Sequence, residues 1–159
     1  MLHTLAVLVE NHPGVLTRVA GLFARRAYNI DSLSVCQTEN PSISRMTIVV
    51  NGDDQIIEQV SKQLYKLVEV HKVTDLTKET IVDRELALVR VKVNAESRLE
   101  VLQTVDVFRG RVVDMGRSNL TVELTGDVEK IDAFVRTMRT YGLLELVRTG
   151  TIAIMRSDS

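Results

Sequence analysis

The succession of apolar periodicities along the chain restricts its fold more than any other feature of the sequence. Four stretches carry the alternating or β-branched apolar residues of strands, at His3–Glu10, Ile30–Thr38, Ser42–Asn51 and Val68–Leu76. Between the first and second strand, and again between the third and fourth, apolar residues recur at the spacing of one helix face. The first half of the chain therefore has the element order βαββαβ.

The same order starts again in the second half, where Arg84–Asn94 alternates as a strand and is followed by a helix, a hairpin, a helix and a final extended stretch. Because a repeated supersecondary unit explains this restart, we predict an α+β fold of two tandem ferredoxin-like βαββαβ domains. Their predicted bounds are 1–76 and 84–159, with a linker at 77–83. Since helices would cover only one face of each antiparallel sheet and leave its edges free, we expect at least a homodimer.

The helix boundaries can be predicted from capping residues. The first helix should end near Tyr28 and Asn29, since asparagine tolerates the left-handed geometry in which helices often finish. Asp53 or Asp54 can cap the second helix and Asp127 the fourth, while the residues from Ser97 to Glu100 form a capping-box pattern before the third.

Composition and charge exclude several classes of partner. The 20 basic residues are balanced by 21 acidic ones, so the chain has no basic field that would attract nucleic acid or an anionic membrane. No apolar run approaches the roughly 20 residues that span a bilayer. The single cysteine, Cys36, excludes an intrachain disulfide, and the N-terminus lacks the pattern of a signal peptide. We therefore predict a soluble, cytoplasmic protein.

The residue types that carry catalysis do not form a known pattern. His3, His12 and His71 lie far apart and share no metal-ligand spacing with one another or with Cys36, so we predict surface or loop histidines. Cys36 falls within a strand, where a small buried side chain is the expected role. The phosphate-binding, dinucleotide-binding and serine-hydrolase motifs are also absent. The sequence therefore predicts no catalytic residue, no metal site and no cofactor on this chain.

Two other ferredoxin-like classes fit the sequence poorly. Readers of single-stranded RNA stack bases on aromatic residues of the central strands. Here the aromatic residues all fall in predicted helices or at helix ends, namely Phe23, Tyr28, Tyr65, Phe108, Phe134 and Tyr141. Acylphosphatases resemble one another in an arginine that follows the first strand, and the run NHPGV at Asn11–Val15 has none.

The loop after the first strand could bind an anion. Gly14 leads directly into the first helix, whose opening N–H groups and partial positive charge attract a carboxylate. Asn11 could add a hydrogen bond, and Val15 and Leu16 could offer apolar surface to an aliphatic side chain. The same residues also suit a plain turn that starts a helix, and their chemistry alone leaves both interpretations open.

Longer blocks of sequence resemble a known family. Asn11–Ile30 is similar to an ACT domain, whose first loop and helix bind amino acids at a dimer interface. Four further blocks, in order along nearly the whole chain, resemble the small subunit of acetohydroxyacid synthase, also called acetolactate synthase: RRAYNIDSL at Arg25–Leu33, SRMT at Ser44–Thr47, QLYKLV at Gln63–Val68 and FRGRVVD at Phe108–Asp114.

The resemblance implies a regulatory role without catalysis. The partner would be the catalytic large subunit, which carries thiamine diphosphate, magnesium and FAD, and this chain would activate it and confer feedback inhibition by valine or another branched-chain amino acid. Matching positions implicate an effector site of Asn11, Gly14, Val15 and Leu16 from one subunit with Asn29 and Ile30 from its mate. The alternatives are an amino-acid sensor that acts on a different enzyme or on transcription, which co-purification would distinguish, and a small hydrolase, which turnover by the isolated chain would reveal.

Overall fold

A computed structural model describes residues 1–157, whose contacts form two compact units. Residues 1–82 and residues 151–157 form the first unit, and Asp83–Gly150 form the second. Each unit contains the element order βαββαβ around an antiparallel sheet, which confirms the predicted α+β fold class. Within residues 1–157, none of the helices has the length and apolar character required to cross a membrane.

In the first unit, a four-stranded sheet packs against two helices. The elements are β1 (Leu2–Glu10), α1 (Val15–Arg25), β2 (Ile30–Gln37), β3 (Ile43–Asn51), α2 (Asp54–Tyr65) and β4 (Val70–Asp75), and the strand order is β2-β3-β1-β4. The alternation of β1 sends Leu5, Val7 and Val9 into a core with Phe23 and Leu64 from the helices. Each fully buried side chain of this size stabilises the fold by about 1.5–3 kcal/mol relative to an exposed one. The predicted hairpin of β2 and β3 is confirmed.

The second unit repeats this topology. Its elements are β5 (Ile81–Lys92), α3 (Arg98–Val107), β6 (Arg111–Met115), β7 (Asn119–Gly126), α4 (Val128–Arg139) and β8 (Leu143–Arg148), in the strand order β6-β7-β5-β8. Its core contains Val89, Val122 and Phe134, and Arg148 joins the buried Glu85 to Asp132 with donor–acceptor distances of 2.5 and 2.8 Å.

The last strand packs with the first unit. The sequence predicted a linker at 77–83 and a second domain that includes the last residues of the chain, and those domain bounds remain predictions. In the structure β5 already begins at Ile81, and β9 (Ile152–Met155) belongs to the first unit. Ala153 of β9 forms a small apolar cluster with Ala6 and Leu76. Ala6 and Leu76 lie on the sheet face that the two helices leave open, and Ala153 packs there.

The end of α1 differs from the prediction. The left-handed residue is Ala27, with φ 57°, and not Asn29. The N–H of Tyr28 donates to the Phe23 carbonyl and that of Ala27 to the Ala24 carbonyl, which is the pair of bonds that defines a Schellman motif. Arg109, with φ 59°, closes α3 in the same way.

The starts of the helices follow the prediction in two cases. Asp53 accepts from the Ile56 N–H and Asp127 from the Lys130 N–H, each at 2.9 Å, so both caps are confirmed. The capping box at Ser97 is wrong, because the Ser97 side chain forms no cap bond. The carboxamide oxygen of Asn94 instead accepts from the backbone N–H groups just before α3, and this local turn satisfies them.

Candidate functional site

The loop between β1 and α1 is fixed at one side by Asn11. Its backbone N–H donates to the Ser42 carbonyl at 2.8 Å, and its side-chain Nδ2 donates to the Pro41 carbonyl at 2.9 Å. Both acceptors belong to the turn between β2 and β3. The loop is therefore held against the hairpin while the Oδ1 of Asn11 remains an available acceptor.

Gly14 opens the first turn of α1. Its φ is +89°, and a Cβ built on it would meet no other atom within 4 Å, so the space in front of this backbone is open. The Arg18 N–H donates to the Gly14 carbonyl at 3.0 Å as the first helical hydrogen bond. By helix geometry the preceding N–H groups, up to that of Thr17, have no acceptor within the helix. The N–H of Val15 lies 3.4 Å from the His12 carbonyl, which is a long contact.

The first turn of α1 also contains no acidic residue. Of the four helices within residues 1–157, α1 is the one that has neither a side-chain cap nor an acidic residue in its first turn. A helix start of this kind carries a partial positive charge that favours a bound anion. The geometry is suited to a small carboxylate.

The two apolar residues that follow Gly14 differ in accessibility. Val15 is 3% exposed and packs in the core of the first unit, so what it can offer a ligand is its N–H group. Leu16 is 46% exposed, and its side chain can contact an aliphatic group directly. The Val15 side chain therefore does not offer a ligand the apolar surface that the sequence predicted.

Asn29 and Ile30 lie at the opposite end of α1 from the loop. The helix has 11 residues, and at 1.5 Å per residue it separates its two ends by about 16 Å. Asn29 is exposed, and its Nδ2 lies 3.3 Å from the Asp31 carboxylate. The β2–β3 register shifts between Ile30 and Ser32, which disrupts the ladder at this point. One chain therefore does not bring Asn29 and Ile30 together with the residues around Gly14.

Several charged residues surround the loop, and the sequence did not reveal them as a group. Glu10 accepts from His12 at 2.9 Å, and its other oxygen lies 3.6 Å from the ring of His71. The hydrogen bond to Glu10 raises the pKa of His12, and the same bond lowers the pKa of Glu10. Arg18 pairs with the mostly buried Glu69. The register of β4 against β1, which includes a shift at Val9, brings these residues together and has no local sequence signal.

Two predictions about single residues were wrong. His3 is 0% exposed instead of lying at the surface, because it lies on the same helix-facing side of β1 as Leu5 and Val7. Its ring nitrogens lie 3.8 Å from Asp54 and 3.9 Å from Asp75. Cys36 is exposed instead of buried, because β2 is an edge strand of its sheet. In residues 1–157 the histidine, cysteine and acidic side chains do not form a group of three that could hold a metal ion.

Comparison with known proteins gives matches over both halves of the chain. A family model described as the AHAS small subunit-like ACT domain matches residues 5–72, and one described as the small subunit of acetolactate synthase matches residues 84–157. A probable acetolactate synthase small subunit of Archaeoglobus fulgidus is 54% identical over 158 residues, which cover 99% of each chain. The acetolactate synthase small subunit of Mycobacterium leprae is 48% identical over 97% of this chain and 91% of its own length.

A solved structure agrees with these matches. The crystal structure of the acetolactate synthase small subunit from Thermotoga maritima is 43% identical and superposes with a TM-score of 0.92, covering 100% of this chain and 99% of the other. With the fold, the two family models and the relatives in agreement, the chain belongs to the family of acetolactate synthase small subunits, which are non-catalytic subunits with an N-terminal ACT domain.

Proposed function

We propose that this chain activates the catalytic subunit of acetolactate synthase and transmits feedback inhibition by valine or another branched-chain amino acid. The observation that carries this proposal is the open start of α1, where the space beside Gly14 is empty and the first turn has neither a side-chain cap nor an acidic residue. An amino acid supplies the missing carboxylate, and Leu16 beside it suits an aliphatic side chain.

Each residue of the proposed site has a role that its contacts support. The N–H groups from Gly14 to Leu16 hold the effector carboxylate. The Oδ1 of Asn11 accepts from the effector ammonium, since its Nδ2 is already engaged with Pro41. Val15 contributes its N–H, because its side chain belongs to the core.

The remaining part of the site comes from a second copy of the chain. Asn29 of the partner subunit orients the polar groups of the effector, and the carbonyl of Ile30 of the partner subunit accepts from its ammonium. The separation of about 16 Å along α1 supports this arrangement, because a two-fold dimer can place one end of α1 against the other end of its copy. The edge position of β2 gives the dimer a strand through which to pair.

Membership of the family supports the rest of the proposed assembly. Residues 1–76 bind the effector and form the dimer, and Asp83–Gly150 form the second unit. The catalytic subunit carries thiamine diphosphate, magnesium and FAD, and the complex works in the cytoplasm. An effector that binds one state of the complex more tightly shifts activity only by that difference, typically about 1–3 kcal/mol.

The test is inhibition by valine in the complex reconstituted from both subunits. Asn29→Ala should weaken the inhibition at least about tenfold, while the activation of the catalytic subunit is retained. Asn51→Ala is the matched control, since Asn51 is an exposed asparagine of the same unit at the end of β3. Unchanged valine sensitivity in Asn29→Ala contradicts the assigned site, and failure of the two subunits to co-purify contradicts the proposed partnership. Calorimetry with valine, leucine and isoleucine then identifies the preferred effector.

A further inference from the structure

A second candidate binding site lies on the face of the first sheet that is opposite the helices. Leu8 of β1 pairs with Arg45 on β3 and with Lys72 on β4, so these three residues form one row across three neighbouring strands. Because side chains of directly paired residues point to the same face, both cations lie beside Leu8. In the adjacent row, Ala6 lies between Thr47 and Thr74.

A cavity of about 160 Å³ lies over these rows and within the first unit. Arg45, Lys72 and Thr74 are its polar lining, and its apolar lining consists of Ala6, Leu8, Leu76, Ile154 and Met155. The strand β9 forms one wall, since Arg45 Nη2 donates to the Ala153 carbonyl at 2.7 Å. Ile154 and Met155 are 63% and 48% exposed, so this wall still has apolar surface to cover.

The charges in this cavity are not balanced. Arg45 is partly buried, and its hydrogen bond to Ala153 leaves other guanidinium N–H groups available. Within residues 1–157, neither Arg45 nor Lys72 has a carboxylate at ion-pair distance, and the cavity lining contains no acidic residue. The partly buried guanidinium of Arg45 lacks a counter-charge, which is unfavourable, and an anion that enters the cavity relieves that cost, with the exposed Lys72 as a second donor.

We propose that this cavity binds a small monocarboxylate with a short aliphatic chain. The carboxylate lies over Leu8 between Arg45 and Lys72, where charge-assisted hydrogen bonds from both cations hold it. The aliphatic chain packs against Ala6 and Leu76 and under Ile154. An apolar cavity of about 150 Å³ accommodates a molecule the size of benzene, so a ligand of about seven non-hydrogen atoms fits the available space. This site is separate from the effector site and does not depend on it.

Calorimetric titration of the full chain with isovalerate tests the proposal. The titration is made in saturating valine, so that the amino-acid site is already filled. We expect isovalerate to bind with one site per chain, and Lys72→Gln to weaken that binding at least about tenfold. Lys66→Gln removes an exposed lysine elsewhere in the same unit and should leave the affinity unchanged.

A second variant, NMR and two related ligands test the roles of the charge and of the aliphatic chain separately. Arg45→Gln should also weaken binding, and the amides of Leu8 and Thr74 should shift in the NMR spectrum of the wild-type chain. Acetate, which lacks the aliphatic chain, and 3-methyl-1-butanol, which lacks the charge, should each bind at least about tenfold more weakly. Equal binding of the alcohol, equal binding to Lys72→Gln, or a complete absence of isovalerate binding would each overturn the proposal. Valine inhibition of the complex does not enter these measurements, so their failure leaves the proposed function intact.

Discussion

The substitution Gly14→Ala separates two consequences of the left-handed backbone at the start of α1. With φ at +89°, any Cβ at this position is strained, yet the space around it is empty to 4 Å. The substitution therefore adds backbone strain and no steric clash within the chain. It also puts a methyl group in front of the N–H groups that are proposed to hold the effector.

The expected loss of stability is small. An L-residue in left-handed geometry costs about 1–2 kcal/mol. Part of this is offset, because alanine lowers the entropy of the unfolded chain relative to glycine and so stabilises by about 0.4–1 kcal/mol. The free energy of unfolding should fall by roughly 1 kcal/mol. Valine affinity should fall at least about tenfold, since the added methyl group prevents close approach of the carboxylate.

Two assays on Gly14→Ala test the predicted changes in unfolding free energy and in valine affinity. Urea unfolding followed by circular dichroism gives the stability, and calorimetry gives the affinity for valine. Ala27→Gly is the control at the other end of α1, where alanine itself has φ 57°. Relief of that strain should raise the unfolding free energy by up to about 1 kcal/mol. If Gly14→Ala binds valine as tightly as the wild-type chain, the N–H groups of the first turn do not hold the carboxylate and the reasoning is refuted.

Three further predictions concern pairs and caps elsewhere in the structure. Arg148→Met should lower the free energy of unfolding by about 3 kcal/mol, because it leaves the buried Glu85 without its partner. Urea unfolding measures this loss, and the double variant with Glu85→Leu should recover most of it. The pKa of His12 should lie above its ordinary value of 6.5 in an NMR titration and return toward it in Glu10→Gln. While Glu10 is ionised, the contribution of the pair to the stability of the loop is complete below pH 6.5 and is lost as pH rises through the raised pKa of His12. Asn94→Ala should lower the free energy of unfolding by about 1 kcal/mol, as measured by thermal unfolding. An equally large loss in Ser97→Ala, with little change in Asn94→Ala, would contradict the turn described before α3.

The features that the sequence predicted correctly depend on local patterns. The alternation around Val89 and the helical stripe around Phe23 each belong to one element, so their period identifies the element without knowledge of its neighbours. Asp53 and Asp127 could be predicted for the same reason, because a cap acts on N–H groups two or three residues away. A repeated order of such elements was sufficient to predict the fold class.

The errors concern residues whose surroundings come from distant parts of the chain. His3 is buried because it shares the helix-facing side of β1 with Leu5 and Val7. Cys36 is exposed because it lies on an edge strand and on the open face of the sheet, where it pairs with Arg45. Which face the helices cover has no local signal. Arg45 and Lys72 likewise share one face of the sheet because both pair with Leu8 of the strand between them, and this pairing has no local signal. The left-handed Ala27 could not have been predicted from propensity, since asparagine two residues later was the better candidate.

The two units share a topology, and comparison of their first helices indicates why one unit is suited to an amino acid. In both, a loop leads from the first strand into a helix that ends in a Schellman motif. Before α3 the carboxamide of Asn94 satisfies the N–H groups of the loop, and Glu100 supplies a negative charge in the first turn. At α1 the loop has Gly14 instead, with no side-chain cap and no acidic residue in the first turn. The second unit thus has a side-chain-bonded loop and an acidic first turn that the first unit lacks. For this reason we expect the proposed effector binding to be lost when the loop of the second unit, ending in Ser97, replaces that of the first.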